Sequence, residues 1–176
     1  RERELYACGW AVQGQLGIGV PSQASSASPL RVHALSGRRL VSCAASTCPS
    51  LACDADGATF VWGSPAGVAA CAEYADTTCG GGGGGGGSPK LLEPTRTGGE
   101  PEGVHVVSVT AGSHHSVVLA ADGAVFSFGN GALGRLGLGD DESAASPRRV
   151  GTLQGVHIES ISAGSYHTLA AASDGV

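Results

Sequence analysis

One stretch of this chain occurs twice. Residues 28–57 align without a gap on residues 146–175, an offset of 118, with twelve of the thirty positions identical. The matches include Pro29/Pro147, Val32/Val150, Leu35/Leu153, Gly37/Gly155, Ser42/Ser160, Leu51/Leu169 and the closing Asp56-Gly57/Asp174-Gly175. A chain that repeats itself over such a period builds one supersecondary unit several times, and each unit buries its apolar face against its neighbours. A second shared segment lies upstream. Cys8 to Gly19 (CGWAVQGQLGIG) matches Phe128 to Gly139 (FGNGALGRLGLG) at an offset of 120. The two-residue difference falls in the polar stretches after Gly19 and Gly139, where an insertion costs least.

A middle copy lies between these two. It begins at Val61-Trp62-Gly63, lacks the Gly-x-Leu-Gly-x-Gly segment, and recovers register over 104–123, where Ala111-Gly112-Ser113-His114-His115 parallels Ala163-Gly164-Ser165-Tyr166-His167. Counted from Gly9 to Gly63 to Gly129, the repeats are 54 and 66 residues long, which divides the chain into about 9–62, 63–128 and 129–176. The extra length of the middle copy is an insertion at 79–89 holding eight consecutive glycines, Gly80 to Gly87. Such a tract spans about 16 Å as a random coil and has no side chain to bury, so a disordered surface loop is expected there.

Within each repeat the apolar residues come in short runs: Leu40 to Ala45, Ser50 to Asp54, Ala58 to Trp62, then Val104 to Thr110, Ser116 to Ala121 and Ala124 to Phe128. These are strand lengths. Asp56-Gly57, Asp122-Gly123 and Asp174-Gly175 follow such runs, and Asp-Gly supplies the positive φ angles of a tight hairpin turn. With a strand leading in and a short one near Pro29–Val32 or Pro147–Val150, a repeat makes about four strands, the content of one propeller blade.

The motifs Cys-Gly-Trp…Gly-Gln-Leu-Gly-Ile-Gly, Ser-Pro-Arg-Arg-Val, Ala-Gly-Ser-His-His-Ser and Asp-Gly-Ala-Val-Phe-Ser-Phe-Gly together resemble the regulator of chromosome condensation repeat. The resemblance covers nearly the whole chain, and its motifs recur in the family's order. It implies an all-β fold of four-stranded antiparallel blades, about three of an expected seven, in a partial propeller. The middle copy departs from the pattern by lacking the glycine turn. The first departs by placing Cys48-Pro49 where the His pair belongs, so both blades are expected to be irregular.

Several function classes are disfavoured. Ten basic residues against fifteen acidic ones, net −5 and scattered, leave no electrostatic footprint for nucleic acid in this segment. No apolar stretch approaches the roughly 20 residues of a membrane helix, so the chain reads as soluble, with no membrane partner. It holds no Met and opens on Arg1-Glu2-Arg3-Glu4, which reads as a segment cut from something longer and not as a signal peptide. Cys8, Cys43, Cys48, Cys53, Cys71 and Cys79 include no C-x-x-C pair, which argues against a zinc site. They are expected to be free thiols buried as small hydrophobes in an intracellular protein, with cytoplasm and nucleus not distinguished.

Individual motifs read as scaffold. Gly129-Asn130-Gly131-Ala132-Leu133-Gly134 matches G-x-G-x-x-G, but the turn chemistry of 136–141 follows it where a dinucleotide site needs a helix. Arg135-Leu136 occupies the Lys-Ser/Thr places of a phosphate loop. No cofactor is implied. The repeat glycines are read as positions of positive φ or close backbone approach: Gly9, Gly14, Gly17 and Gly19 in the first copy, Gly57, Gly63, Gly112 and Gly123 around the second, and Gly129, Gly134, Gly137, Gly139, Gly164 and Gly175 in the third. Asp56, Asp122 and Asp174 are read as turn residues. His114 and His115 are adjacent on a strand and point to opposite faces, so they cannot share one metal. His115 recurs as His167, as a structural position in a repeat does, and each imidazole is expected to be satisfied by a backbone group. His33, His105 and His157 stand isolated. Trp10 and Trp62 fit either half-burial in the core or an interface anchor, with packing favoured. Asp140-Asp141-Glu142 is an acidic loop, a solvated face or a contact for a basic partner.

No catalytic or metal-ligating constellation emerges, and the expectation is a non-catalytic protein-interaction module carried in a larger protein. The resemblance implies two alternatives. One is nucleotide exchange on a small GTPase of the Ran type, whose wedge maps onto no residue here. The other is a regulatory propeller attached to a HECT-type ubiquitin ligase.

Overall fold

The computed structural model describes residues 4–19, 25–47, 49–63, 91–97 and 103–173. The fold is all-β. Its strands are β1 (Tyr6–Trp10), β2 (Ser25–Arg31), β3 (Leu40–Ala45), β4 (Pro49–Asp54), β5 (Thr59–Gly63) and β6 (Leu91–Arg96), followed by β7 (Val106–Ala111), β8 (His115–Ala120), β9 (Val125–Gly129), β10 (Ala144–Arg149), β11 (Ile158–Ala163) and β12 (Thr168–Ala172). Among the described residues, single-turn 3-10 helices at His33–Leu35, Ala132–Gly134 and Gly151–Leu153 punctuate the connections.

The strands form antiparallel meanders in the pattern two, four, four, two. β3-β4-β5-β6 and β7-β8-β9-β10 are complete four-stranded sheets, while β1-β2 and β11-β12 are pairs. Repeat positions explain the pattern. β1 and β2 carry the repeat positions of β9 and β10, and β11 and β12 carry those of β7 and β8.

The central strands β4, β5, β8 and β9 are buried along their whole length, because both of their faces meet a neighbouring sheet. β3 and β4 pack on β7, and β7 and β8 pack on β11. One core holds Leu51, Phe60, Val61, Trp62, Val106, Val118, Phe126 and Phe128. A second cluster joins Val117 and Leu119 of β8 to Ile158 of β11. Removing a Val, Leu or Phe side chain from water contributes about 1.5–3 kcal/mol each, and the packing of sheet on sheet supplies most of that burial here.

The Asp-Gly turns differ from the form expected. Gly57 N–H donates to Asp54 O at 3.0 Å and Asp54 N–H to Ala58 O at 3.0 Å, a type I turn closed by a bulge. Only the glycine is left-handed (Gly57 φ 83°), and 120–124 repeats the arrangement with Gly123 at φ 82°. Asp56 thus keeps ordinary geometry, and the turn is held instead by Asp54, whose buried carboxylate accepts from the N–H groups of Asp56 and Ala58 and pairs with Arg38 at 2.9 Å. The Asp174-Gly175 turn, the 79–89 insertion and Cys48, Cys71 and Cys79 lie outside the described residues.

Candidate interaction rim and the joints that hold it

The glycine-rich loops fold over the neighbouring sheet and fasten to it. Each loop is two successive tight turns sharing a glycine. In the first, Gly14 N–H donates to Ala11 O at 2.9 Å and Gly17 N–H to Gly14 O at 3.0 Å. In the second, Gly134 N–H donates to Gly131 O at 3.1 Å and Gly137 N–H to Gly134 O at 3.0 Å. Gly14 and Gly134 thus close one turn and open the next, while Gly17 and Gly137 end the pair.

These turns deliver the loops to their partners. After β9, the loop at 130–139 crosses to the β11-β12 pair, where Thr168 Oγ1 donates to Arg135 O at 2.8 Å. His115 Nε2 lies 2.9 Å from the same hydroxyl. Because the single hydroxyl proton goes to Arg135 O, the contact with His115 is made by Nε2–H donating. The Arg135 side chain, itself buried, donates to Ala132 O at 2.7 Å and Ser165 O at 3.4 Å, and its guanidinium lies 5.0 Å over the Tyr166 ring. After β1, the loop at 11–19 repeats the device. Gln15 O accepts from Ser50 Oγ at 2.9 Å and from Trp62 Nε1 at 2.7 Å, and Gln15 Nε2 donates to Thr47 O at 3.3 Å. Gln15 is the counterpart of Arg135, and Ser50 of Thr168.

His115 is fully buried, and burial pushes its pKa down to about 4, with Arg135, His167 and His114 acting in the same direction. Its second nitrogen corrects the expectation of backbone satisfaction: Nε2 meets a side-chain hydroxyl, and Nδ1 has no partner among the described residues. A Cβ at Gly112 would run into the His115 ring, and one at Gly164 into His167, so these glycines serve close approach at ordinary φ. The other scaffold glycines within the described residues, Gly9, Gly14, Gly17, Gly19, Gly57, Gly63, Gly123, Gly129, Gly134, Gly137 and Gly139, all have positive φ. Gly17 and its counterpart Gly137 separate the two demands. A Cβ at Gly17 would stand 2.8 Å from Trp62 Nε1, so that position needs both the left-handed backbone and the space. At Gly137 (φ 67°) a Cβ would meet Val150 Cγ1 at 3.6 Å, an ordinary contact, so close approach is not required there and the backbone angle alone selects glycine.

A second joint, at the opposite end of the sheets, escaped the sequence reading. A Cβ at Gly57 would lie 2.8 Å from His105 Nδ1, and one at Gly123 would collide with His157. His157 Nδ1 also lies 3.2 Å from Asp122 O. His105 and His157, taken as isolated, thus occupy one repeat position and cap the hairpin turn of the preceding sheet. The signal was available, because they are separated by the same 52 residues as His115 and His167.

The joints leave a set of exposed side chains at the loop end. Leu133 is 73% exposed and, with φ 64°, is the one non-glycine residue of positive φ among those described. Tyr166 is exposed beside Arg135. Trp10 is 52% exposed, whereas Trp62 is buried, so the expectation of packing holds only for Trp62. In the acidic loop, Asp140 Oδ1 accepts from Glu142 N–H at 3.0 Å, and Asp140, Asp141 and Glu142 all face solvent. Gly131 permits this arrangement, for a Cβ there would run into Glu142 O. The G-x-G-x-x-G stretch therefore closes on its own acidic loop.

A groove of about 430 Å³ opens between β1 and the β3-β4 hairpin, lined by residues that include Cys8, Trp10, Cys43, Ser50, Leu51 and Trp62. The expectation of buried thiols holds for Cys53, whose pKa burial pushes up to about 11, and fails for Cys8 and Cys43. Both are exposed in the groove beside β1, which among the described residues pairs with β2 alone. Among the described residues no three His, Cys, Asp or Glu side chains gather as a metal site, and no helix is long and apolar enough to cross a membrane.

This arrangement matches known proteins closely. The model of the regulator of chromosome condensation (RCC1) repeat matches residues 122–171, and a second model of the same description matches 106–135. The human protein named "Probable E3 ubiquitin-protein ligase HERC3" is 35% identical over 170 residues, which are 95% of this chain and 14% of that one. Among solved structures, human WBSCR16 is 26% identical with a TM-score of 0.76, covering 97% of this chain and 41% of its own. Prp20p of Saccharomyces cerevisiae shares the fold at a TM-score of 0.80, with 24% identity, 96% of this chain and 39% of its own. The molecule is thus a partial β-propeller of antiparallel blades. It belongs to the regulator of chromosome condensation repeat family.

Proposed function

We propose that this chain is part of a rigid propeller scaffold that binds another protein through its loop end, within a larger intracellular polypeptide. The observation that carries the reading is Leu133. An apolar side chain held outward in a left-handed conformation is strained and solvated at once, and such residues gather where a surface is shaped for contact. The joints through Gln15 and Arg135 anchor the loop that follows Trp10 and the loop that bears Leu133 and leads into the acidic residues 140–142, so a partner would meet a preformed surface. The test is affinity capture on the full propeller, with Leu133→Ser and Tyr166→Ala at the loop end and Val107→Ser, an exposed position on β7, as control. Loss of the captured protein with the first two variants and retention with the control supports the reading. Equal capture by all three refutes it.

Two narrower roles remain proposals. Regulation of an attached ubiquitin ligase domain is supported by the human ligase that matches 95% of this chain, although the chain spans only 14% of that relative. Nucleotide exchange on a Ran-type GTPase rests on the fold shared with Prp20p, whose structure is described with its binding properties to Gsp1p and histones. Release of labelled GDP from a small-GTPase panel decides the second, and no acceleration by the full propeller ends it.

A further inference from the structure

No further inference is drawn: the strongest candidate, the small cavity of about 230 Å³ between the β8-β9 hairpin turn and the start of β11, sets the carboxylate of Asp122 and the guanidinium of Arg149 around one space with His157, but none of the buried side chains without a hydrogen-bond partner among the described residues lines it, so nothing in the structure shows what it would hold.

Discussion

The complete sheets and the strand pairs hold corresponding repeat positions, yet one set is core and the other surface. Val117 and Leu169 are counterparts, as are His115 and His167, Phe128 and Cys8; the first of each pair is fully buried and the second exposed. Burial in this architecture is conferred by the next sheet, so the recurring letters encode a joint between blades more than a self-contained unit. In such repeat architectures stability is approximately a sum of unit and nearest-neighbour interface terms.

The sharpest way to break this comparison is to truncate both members of one pair. Phe128→Ala should cost about 3–5 kcal/mol in urea unfolding, the loss of a fully buried aromatic, while Cys8→Ala should stay within about 0.5 kcal/mol. Equal costs would mean that the ends are packed as the middle is. The polar joints come next. Thr168→Val removes a donor to Arg135 O and the acceptor of His115 Nε2–H together, at about 1–3 kcal/mol. Ser50→Ala should cost about 0.5–1.5 kcal/mol, because Trp62 Nε1 still donates to Gln15 O.

The third contrast is in pH. His115 titrates at about 4 in the fold, chiefly because it is desolvated, against about 6.5 when unfolded. Between those values the unfolded chain holds the extra proton, so stability rises with pH. Its contribution is complete above pH 6.5, is lost as the pH falls from 6.5 towards about 4, and changes no further below that. His115→Gln should flatten the curve of unfolding free energy over that window. A slope unchanged in the variant would assign the acid sensitivity to other groups.

Much of the fold was legible in the sequence, because strands in a layered sheet write a period of apolar runs that a repeat restates several times. The runs at Leu40 to Ala45 and Ala124 to Phe128 reappear as β3 and β9 with shifts of at most one residue. The joints were not legible. Gln15 and Arg135 take part through their backbone carbonyls, which carry no residue-type signature, and Ser50 and Thr168 are ordinary strand residues until the loop lands on them. The left-handed Leu133 was invisible for the opposite reason: its neighbours impose a conformation that its own preference opposes. Cys8 and Cys43 were misjudged because burial depends on neighbouring strands, and among the described residues β1 pairs with β2 alone.

The smallest effect sits where a complete sheet touches a strand pair. The Arg135 side chain reaches from the 130–139 loop to the β11-β12 hairpin by two routes, a hydrogen bond to Ser165 O and a ring contact with Tyr166. Arg135 is buried but Tyr166 is exposed, so the ring contact is half solvated and should contribute only about 0.5–1 kcal/mol. Tyr166→Ala is therefore expected to move the urea midpoint slightly, because Arg135 keeps its bonds to Ala132 O and Ser165 O. Arg135→Ala loses both routes and the burial of its own stem, and should exceed Tyr166→Ala several-fold. If the two variants matched, the Arg135 side-chain hydrogen bonds to Ala132 O and Ser165 O would add nothing to the contact with the exposed ring.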